Sequence, residues 1–378
     1  MNLLERLDHP IKQLPSGDWL TLSMFRVNGT APGPHVHIQA NVHGAELQGN
    51  PVIYELMQWF CHNPFNGTVT FIPHANPIGV NNKMGTWTYG RFNPITGDNW
   101  NRAYEDVFNR SKEMLGGTLE EFVARHKDSS WSVIKQEFKK FLIDSIKNLE
   151  TSLTKYGANE NKIPFLFLQK VAATADIVLD LHTGPVAVRY IYSADYQRED
   201  VKHFNFPFVI NIPSEFGKAM DEATFMNWVR LQQEFKKLGK EIPLEFNSFT
   251  VELGSEERIS FSEAKEDALG ILNYLHYKKV IQEKNWQLKP VTQVNGELSN
   301  YKTYYAPMGG MVEYVLPPGS RVEEGSVMAR LLSFRQVKSA QDLAGAVTLI
   351  KAKKAGHIIN HCPSGAVGQG AELIQVME

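Results

Sequence analysis

A histidine and a glutamate three residues apart, in His43-Gly44-Ala45-Glu46, are the first residues in this chain whose types and spacing suggest chemistry. An imidazole and a carboxylate at that spacing can converge on one metal ion. Catalytic zinc sites often combine two His with one Glu and leave a fourth position open for water. Further candidates follow downstream: His182 ends a largely apolar run, Glu252 ends another, and Arg91 and Arg102 flank the segment that contains Asn101. Each has a plainer explanation when taken singly. His43 is equally an ordinary strand-end histidine, and Glu46 a first-turn acid that satisfies a helix dipole. His182 is equally a hydrogen-bonded core residue, and Glu252 the partner of a nearby Lys or Arg. Short motifs match by chance, so the elements that must position these residues carry the argument.

Apolar Val36, Ile38 and Ala40 alternate with polar residues, which predicts a strand over 35–42. Leu47, Val52, Ile53, Leu56, Met57 and Phe60 then repeat at helical spacing, which predicts a helix over 45–61. His43 would sit at the strand's carboxyl end and Glu46 in the helix's first turn. Gly67–Pro73 reads as the next strand, so strand, helix and strand imply a parallel sheet with a right-handed crossover. In open α/β sheets, ligands bind beyond the carboxyl ends of the strands. The run Ala175–Gly184 reads as a central strand covered on both faces, placing His182 at its end. Asp180 lies two residues before His182 and points the same way. It is either a group facing the site or an acceptor that orients the histidine.

Other expected elements are an edge-like strand over 17–29, strands at 206–210 and 248–254, and helices at 219–238 and 261–281. Residues 74–80 read as a loop. Residues 85–102 form a long Gly/Asn/Trp-rich loop, a length that inside a compact domain marks function or disorder. Its aromatic residues, Trp87, Tyr89 and Phe92, argue for order. Residues 103–160 read as a helical insertion that packs on the sheet. His35 and His37 share one face of their strand and read as structural or rim residues. His74, His357 and His361 lack partners at ligand spacing.

The 378 residues suffice for one large domain and a small one, assigned to 1–289 and 290–378. A net charge of −2 gives no reason to expect nucleic acid or an anionic membrane as partner. No apolar run is long enough to span a bilayer, and the acids of Met1–Asp8 do not fit a signal peptide. Cys61 and Cys362 form neither a disulfide framework nor a metal-ligand spacing, which suits a cytoplasmic setting. Beyond Pro290 the sequence turns to Gly, Val and Pro with short alternating stretches, so a small all-β domain is expected. Gly310–Tyr314 with Gly319–Gly325 is echoed by Gly356–Asn360 with Gly365–Gly370, the pattern of two strand-turn-strand units paired as a sandwich. It resembles biotinyl and lipoyl carrier domains. Lys338, in Gln336-Val337-Lys338-Ser339, lacks the setting of their modified lysine, so a structural or lid role is expected. An exposed edge of this domain would permit a homo-oligomer.

Four motifs in order, His43-Gly44-Ala45-Glu46, Asn99-Trp100-Asn101-Arg102, Asp180-Leu181-His182-Thr183-Gly184 and Thr250-Val251-Glu252-Leu253-Gly254, resemble the succinylglutamate desuccinylase/aspartoacylase family. The resemblance implies a zinc carboxypeptidase-like fold, a mixed, mostly parallel sheet flanked by helices, with a C-terminal β domain. It also implies one Zn²⁺ per chain on His43, Glu46 and His182. Glu252 would be the general base, Arg91 the stabiliser of the oxyanion, and Asn101 and Arg102 the holders of a substrate carboxylate. One departure stands out: Asn99-Trp100 replaces the family's usual Asp-Leu. The implied activity is deacylation of a small, carboxylate-bearing N-acyl amino acid. A metallocarboxypeptidase shares the same groups and differs in pocket size. A non-catalytic binding or assembly module on the same fold would have no need of Glu252.

Overall fold

The computed structural model describes residues 2–88, 90–157, 162–283, 286, 290–335 and 337–378. Tyr89, the last residues of the expected helical insertion, residues 287–289 at the expected domain boundary and Gln336 lie outside these.

A nine-stranded mixed sheet forms the centre. Its strands are β1 (Leu4–Gln13), β2 (Trp19–Asn28), β3 (Ala31–Ala40), β4 (Asn66–Ile72), β5 (Ile177–Gly184), β6 (Arg189–Ala194), β7 (Phe208–Ile212), β8 (Asn247–Ser255) and β9 (Val294–Glu297). Their order is β1-β2-β4-β3-β5-β8-β6-β7-β9. β4, β3, β5 and β8 run parallel, while β6 turns antiparallel to β8 and is followed in parallel by β7 and β9. Every residue of β5 is buried, as a doubly covered central strand requires.

Helices cover both faces. On one, α1 (Gly49–His62) packs Val52, Ile53, Leu56 and Phe60 against Val36, Ile38, Leu179 and Leu181. The other face carries α2 (Trp131–Thr154), α3 (Lys162–Ala172) and α4 (Met220–Lys237), whose Phe138, Phe165 and Trp228 share a core with Ile72, Val178 and Ala194. Ile134, Phe138, Leu142, Ile146 and Leu149 give α2 its buried stripe at helical spacing. The segment after residue 103 therefore packs on the sheet, as its periodicity predicts. A fifth helix, α5 (Phe261–Tyr277), joins α1.

Several expectations change. The helix after β3 starts at Gly49, so Glu46 lies in the preceding turn. Pro51 gives the reason: a proline is tolerated in a helix's first turn but would break a helix already under way from residue 45. β1, unread in the sequence, pairs with β2 and takes the edge position expected of β2. Its outward residues are largely exposed, so its alternation is faint. β6 was also missed. Pro77–Asn81 forms one short helix where a loop was read, with Asn76 capping it through Gly79 N. α5 ends at Tyr277 rather than 281. β9 extends the large sheet beyond residue 290.

The longer of the remaining strands, β10 (Tyr301–Tyr305), β11 (Gly310–Tyr314), β12 (Val327–Leu332), β13 (Val347–Lys351), β14 (Gly356–His361) and β15 (Glu372–Met377), form two facing sheets. Tyr304, Met328, Ile350, Ile358 and Val376 lie between them. The echoed strands β11 and β14 fall in different sheets, one per repeat. Lys338 lies in the β12–β13 connection, exposed, with its backbone N bonded to Asp342 Oδ2. Val186–Ala187, just after β5, pairs antiparallel with β14.

Gly49 lets α1 lie close on the strands that end at the site. A Cβ there would stand 2.6 Å from Ala40 Cβ and 3.0 Å from Leu181 Cβ. Gly49→Ala is expected to cost about 1–3 kcal/mol by overpacking, read as a lower urea midpoint with an unchanged slope.

Candidate active site

The chain leaves β3 through Asn41, whose φ of 62° is a left-handed conformation that Asn tolerates. Asn41 Nδ2 donates to Glu46 O at 2.7 Å, and Asn76 Nδ2 donates to Val42 O at 2.9 Å. These bonds fix a tight turn that brings Glu46 back under His43. Glu46 Oε1 lies 2.8 Å from His43 Nδ1, and Oε2 lies 2.8 Å from His182 Nδ1. Thr183 N also donates to Oε2, at 3.1 Å. All three side chains are buried, and one donor atom from each lies within 4.8 Å of the others. Such a set can hold a metal ion, and its mix of two imidazoles and one carboxylate suits zinc.

The far nitrogens are held too. His182 Nε2 lies 2.8 Å from Asp180 Oδ2, whose other oxygen accepts from Gln39 Nε2 at 3.0 Å. Asp180 is thus the group that orients His182, the alternative left open by the sequence. His43 Nε2 meets Asn99 Oδ1 at 2.9 Å, and the same oxygen accepts from Asn101 N. Asn99 marks the departure from the usual motif, and it supplies a neutral acceptor to the imidazole.

These contacts set the charges. Burial would raise Glu46, but the two imidazoles prevail and hold it well below the usual carboxylate range. Burial would lower His182, yet Asp180 and Glu46 on either side raise it well above the ordinary imidazole range. For His43 burial dominates over Glu46 and the shift is downward.

Glu252 stands beside His182 in the parallel register of β5 and β8. Its Oε2 is buried and has no hydrogen-bond partner among the described residues. Burial first, then Glu46, push its carboxyl up to about 7. The 85–102 loop brings the remaining candidates. Arg91 Nη2 lies 3.9 Å from Glu46 Oε1, and a bridge between Phe92 and Asn99 closes the loop's base. Asn101 Oδ1 accepts from Met220 N at 3.3 Å, and its Nδ2 lies 3.4 Å from His182 Nε2. It lines the cavity together with Arg102. Arg102 is exposed to the cavity, with Nη1 on Asn101 O.

All of this opens into a cavity of about 780 Å³. Sequence reasoning missed several of its walls. Tyr190 and Tyr192 come from β6, opposite Glu252 and Thr250 in register, and Asp221 comes from the first turn of α4. Asn360 and Gln375 come from the C-terminal strands, bonded to each other and to Tyr301. Asp221 alone carried a signal, as an acid in the first turn of an expected helix.

The sequence matches the succinylglutamate desuccinylase/aspartoacylase catalytic domain over residues 32–127 and 145–278. The chain belongs to that family. Its names are those of deacylating hydrolases, and this chain has an enzyme's framework. A succinylglutamate desuccinylase/aspartoacylase family protein of Shewanella amazonensis SB2B is 36% identical, with 99% of this chain and 98% of that one covered and a TM-score of 0.90. A protein of Shewanella frigidimarina NCIMB 400, named for the same two activities, is 35% identical over 100% and 98%, with a TM-score of 0.91. A succinylglutamate desuccinylase of Silicibacter sp. TM1040, 17% identical, shares the fold over 99% and 95% at a TM-score of 0.65. No curated protein matches the sequence. Among the described residues no helix is long and apolar enough to cross a membrane.

His182, raised between two carboxylates, carries a proton at neutral pH in the metal-free chain, whereas a ligand imidazole must be neutral. Metal uptake is therefore expected to release about one proton and to weaken as pH falls. Calorimetric titration of zinc in two buffers of different ionisation enthalpy reads this directly. Equal heats in both would contradict it.

Proposed function

We propose that this protein is a zinc-dependent deacylase that cleaves the N-acyl amide bond of a small, carboxylate-bearing amino-acid derivative. The observation that carries the reading is Glu252, a buried carboxylate with one free oxygen, set beside a buried His43–Glu46–His182 cluster in one cavity. His43, Glu46 and His182 would hold the ion. Bound zinc supplies a Lewis acid for the scissile carbonyl and lowers the pKa of water.

The chain's own residues supply the rest. Glu252 Oε2 takes a proton from the attacking water and delivers it to the leaving nitrogen, a task suited to a carboxyl near 7. Arg91, at the rim of the cluster, faces the negative charge that develops on the carbonyl oxygen. Arg102 pairs with a substrate carboxylate, its fork matching two oxygens. Asn101 joins Arg102 in holding that carboxylate, and Asn99 and Asp180 keep the two imidazoles in register. We read the C-terminal strands as a distinct small unit whose role is structural, forming one wall of the cavity. Free Cys61 and Cys362 accord with a cytoplasmic setting.

The cavity measures about 780 Å³. It also admits the carboxypeptidase reading, because cavities of about 300–1,000 Å³ hold ligands well beyond amino-acid size. Hydrolysis of a panel of N-acyl amino acids and short peptides, with and without chelator, separates the two. Chelator-sensitive acyl release is the expected result, and cleavage of peptides alone would overturn it.

Glu252→Gln should retain zinc but lose about 10²–10⁴-fold in turnover. Unchanged turnover would remove it as the base. Arg102→Lys should raise KM about tenfold for carboxylate substrates with little change in kcat, since an ammonium cannot reproduce the fork.

A further inference from the structure

A line of polar side chains runs from the His43–Glu46–His182 cluster into the core. It begins at Asp180, which receives His182 Nε2 on one oxygen. Gln39 stands level with Asp180 in the parallel register of β3 and β5, and its Nε2 donates to the other oxygen at 3.0 Å. The same Nε2 donates to Tyr104 OH at 3.2 Å, and Gln39 Oε1 lies 3.1 Å from His37 Nε2. His37, Gln39, Tyr104 and Asp180 are all buried.

The line has one consistent polarity. Gln39 presents its amide nitrogen to Asp180, which leaves its oxygen for His37, so His37 carries its ring proton on Nε2. His37 Nδ1 is buried with no partner among the described residues, and burial pushes the imidazole down to about 4, so the ring is neutral and holds that single proton. Both sides of the Gln39 amide are thereby engaged.

Core packing alone does not call for such a line. His37 stands level with Val178, which shares a core with Tyr104 and Phe165. Apolar side chains at 37 and 39 would fill that space without the desolvation that an imidazole and an amide incur. What they could not do is hold Asp180. With one oxygen released, that side chain is free to turn, and His182 loses its fixed orientation with it.

We infer that Gln39, kept in one orientation by His37 and Tyr104, is a positioning residue that fixes Asp180 against His182 and so sets how tightly the cluster holds zinc. The inference rests on the reading of His43, Glu46 and His182 as the ligands, and the quantity that tests it is metal affinity rather than turnover.

The test is the zinc dissociation constant of the full chain, measured at one pH by competition with a chromophoric chelator. Gln39→Met keeps the length of the side chain and removes the donor to Asp180. It should bind zinc about 10–100-fold more weakly, the range that loss of an outer-shell partner costs. His37→Phe and Tyr104→Phe each remove one bond to the amide and should weaken binding about threefold. Adding His37→Phe to Gln39→Met should cost no further affinity, because His37 acts through the amide. Ile38→Val trims the opposite core from the same strand. It should lower the urea midpoint and leave zinc affinity unchanged, which separates positioning from loss of stability. If Gln39→Met fails to fold, the two phenylalanine variants decide the matter. Wild-type affinity in Gln39→Met, or in both phenylalanine variants, would overturn the inference and leave the metal site standing. An equal weakening in Ile38→Val would overturn it as well. A wild-type chain that binds no zinc would overturn both the inference and the ligand set beneath it.

Discussion

The site depends on one carboxylate with both oxygens engaged. Glu46 reaches His43 with one and His182 with the other, and Thr183 N secures the second. That arrangement joins a turn after β3 to the end of β5, two segments far apart in the chain. It also places a carboxylate in a buried setting, where the two flanking imidazoles oppose the cost of burial and hold it well below the usual carboxylate range.

The sheet makes this possible through register. His182 and Glu252 are level on neighbouring parallel strands, and Tyr190 is level with Glu252 on the antiparallel strand beyond it. Side chains on a strand alternate, so Asp180 and His182 share a face, as do Thr250 and Glu252. The face that carries them is the one covered by α4, which is how the first turn of that helix comes to border the cavity. A slip of one residue at β8 would turn Glu252 into the opposite core.

What could be read from the sequence follows from this geometry. His43, His182 and Glu252 were legible because each ends a recognisable apolar run, and strand ends are where α/β sheets bind ligands. Glu46 was legible as a partner but was placed in a helix, because the apolar spacing outweighed the veto of Pro51. Asn99 looked like a departure in a loop; its role emerged only when its oxygen was found on His43 Nε2. Arg91 was proposed from loop position, and the distance to Glu46 supports its nearness to the cluster. Tyr192, Asn360 and Gln375 left no trace, since they reach the cavity through strand pairings between distant segments that no local pattern encodes.

The pairing of β15 carries a consequence for how the protein is made. Glu372–Met377 lies between β10 and β14 in its sheet, and Glu372 and Gln375 border the cavity. This inner strand cannot take its place between β10 and β14 until residues 372–377 have left the ribosome. His43, Glu46, His182 and Glu252 have all left the ribosome well before then. The nascent chain thus passes through an interval in which the His43–Glu46–His182 cluster can assemble behind an unfinished wall, open to solvent. The cavity as a bounded space exists only after β15 is in place.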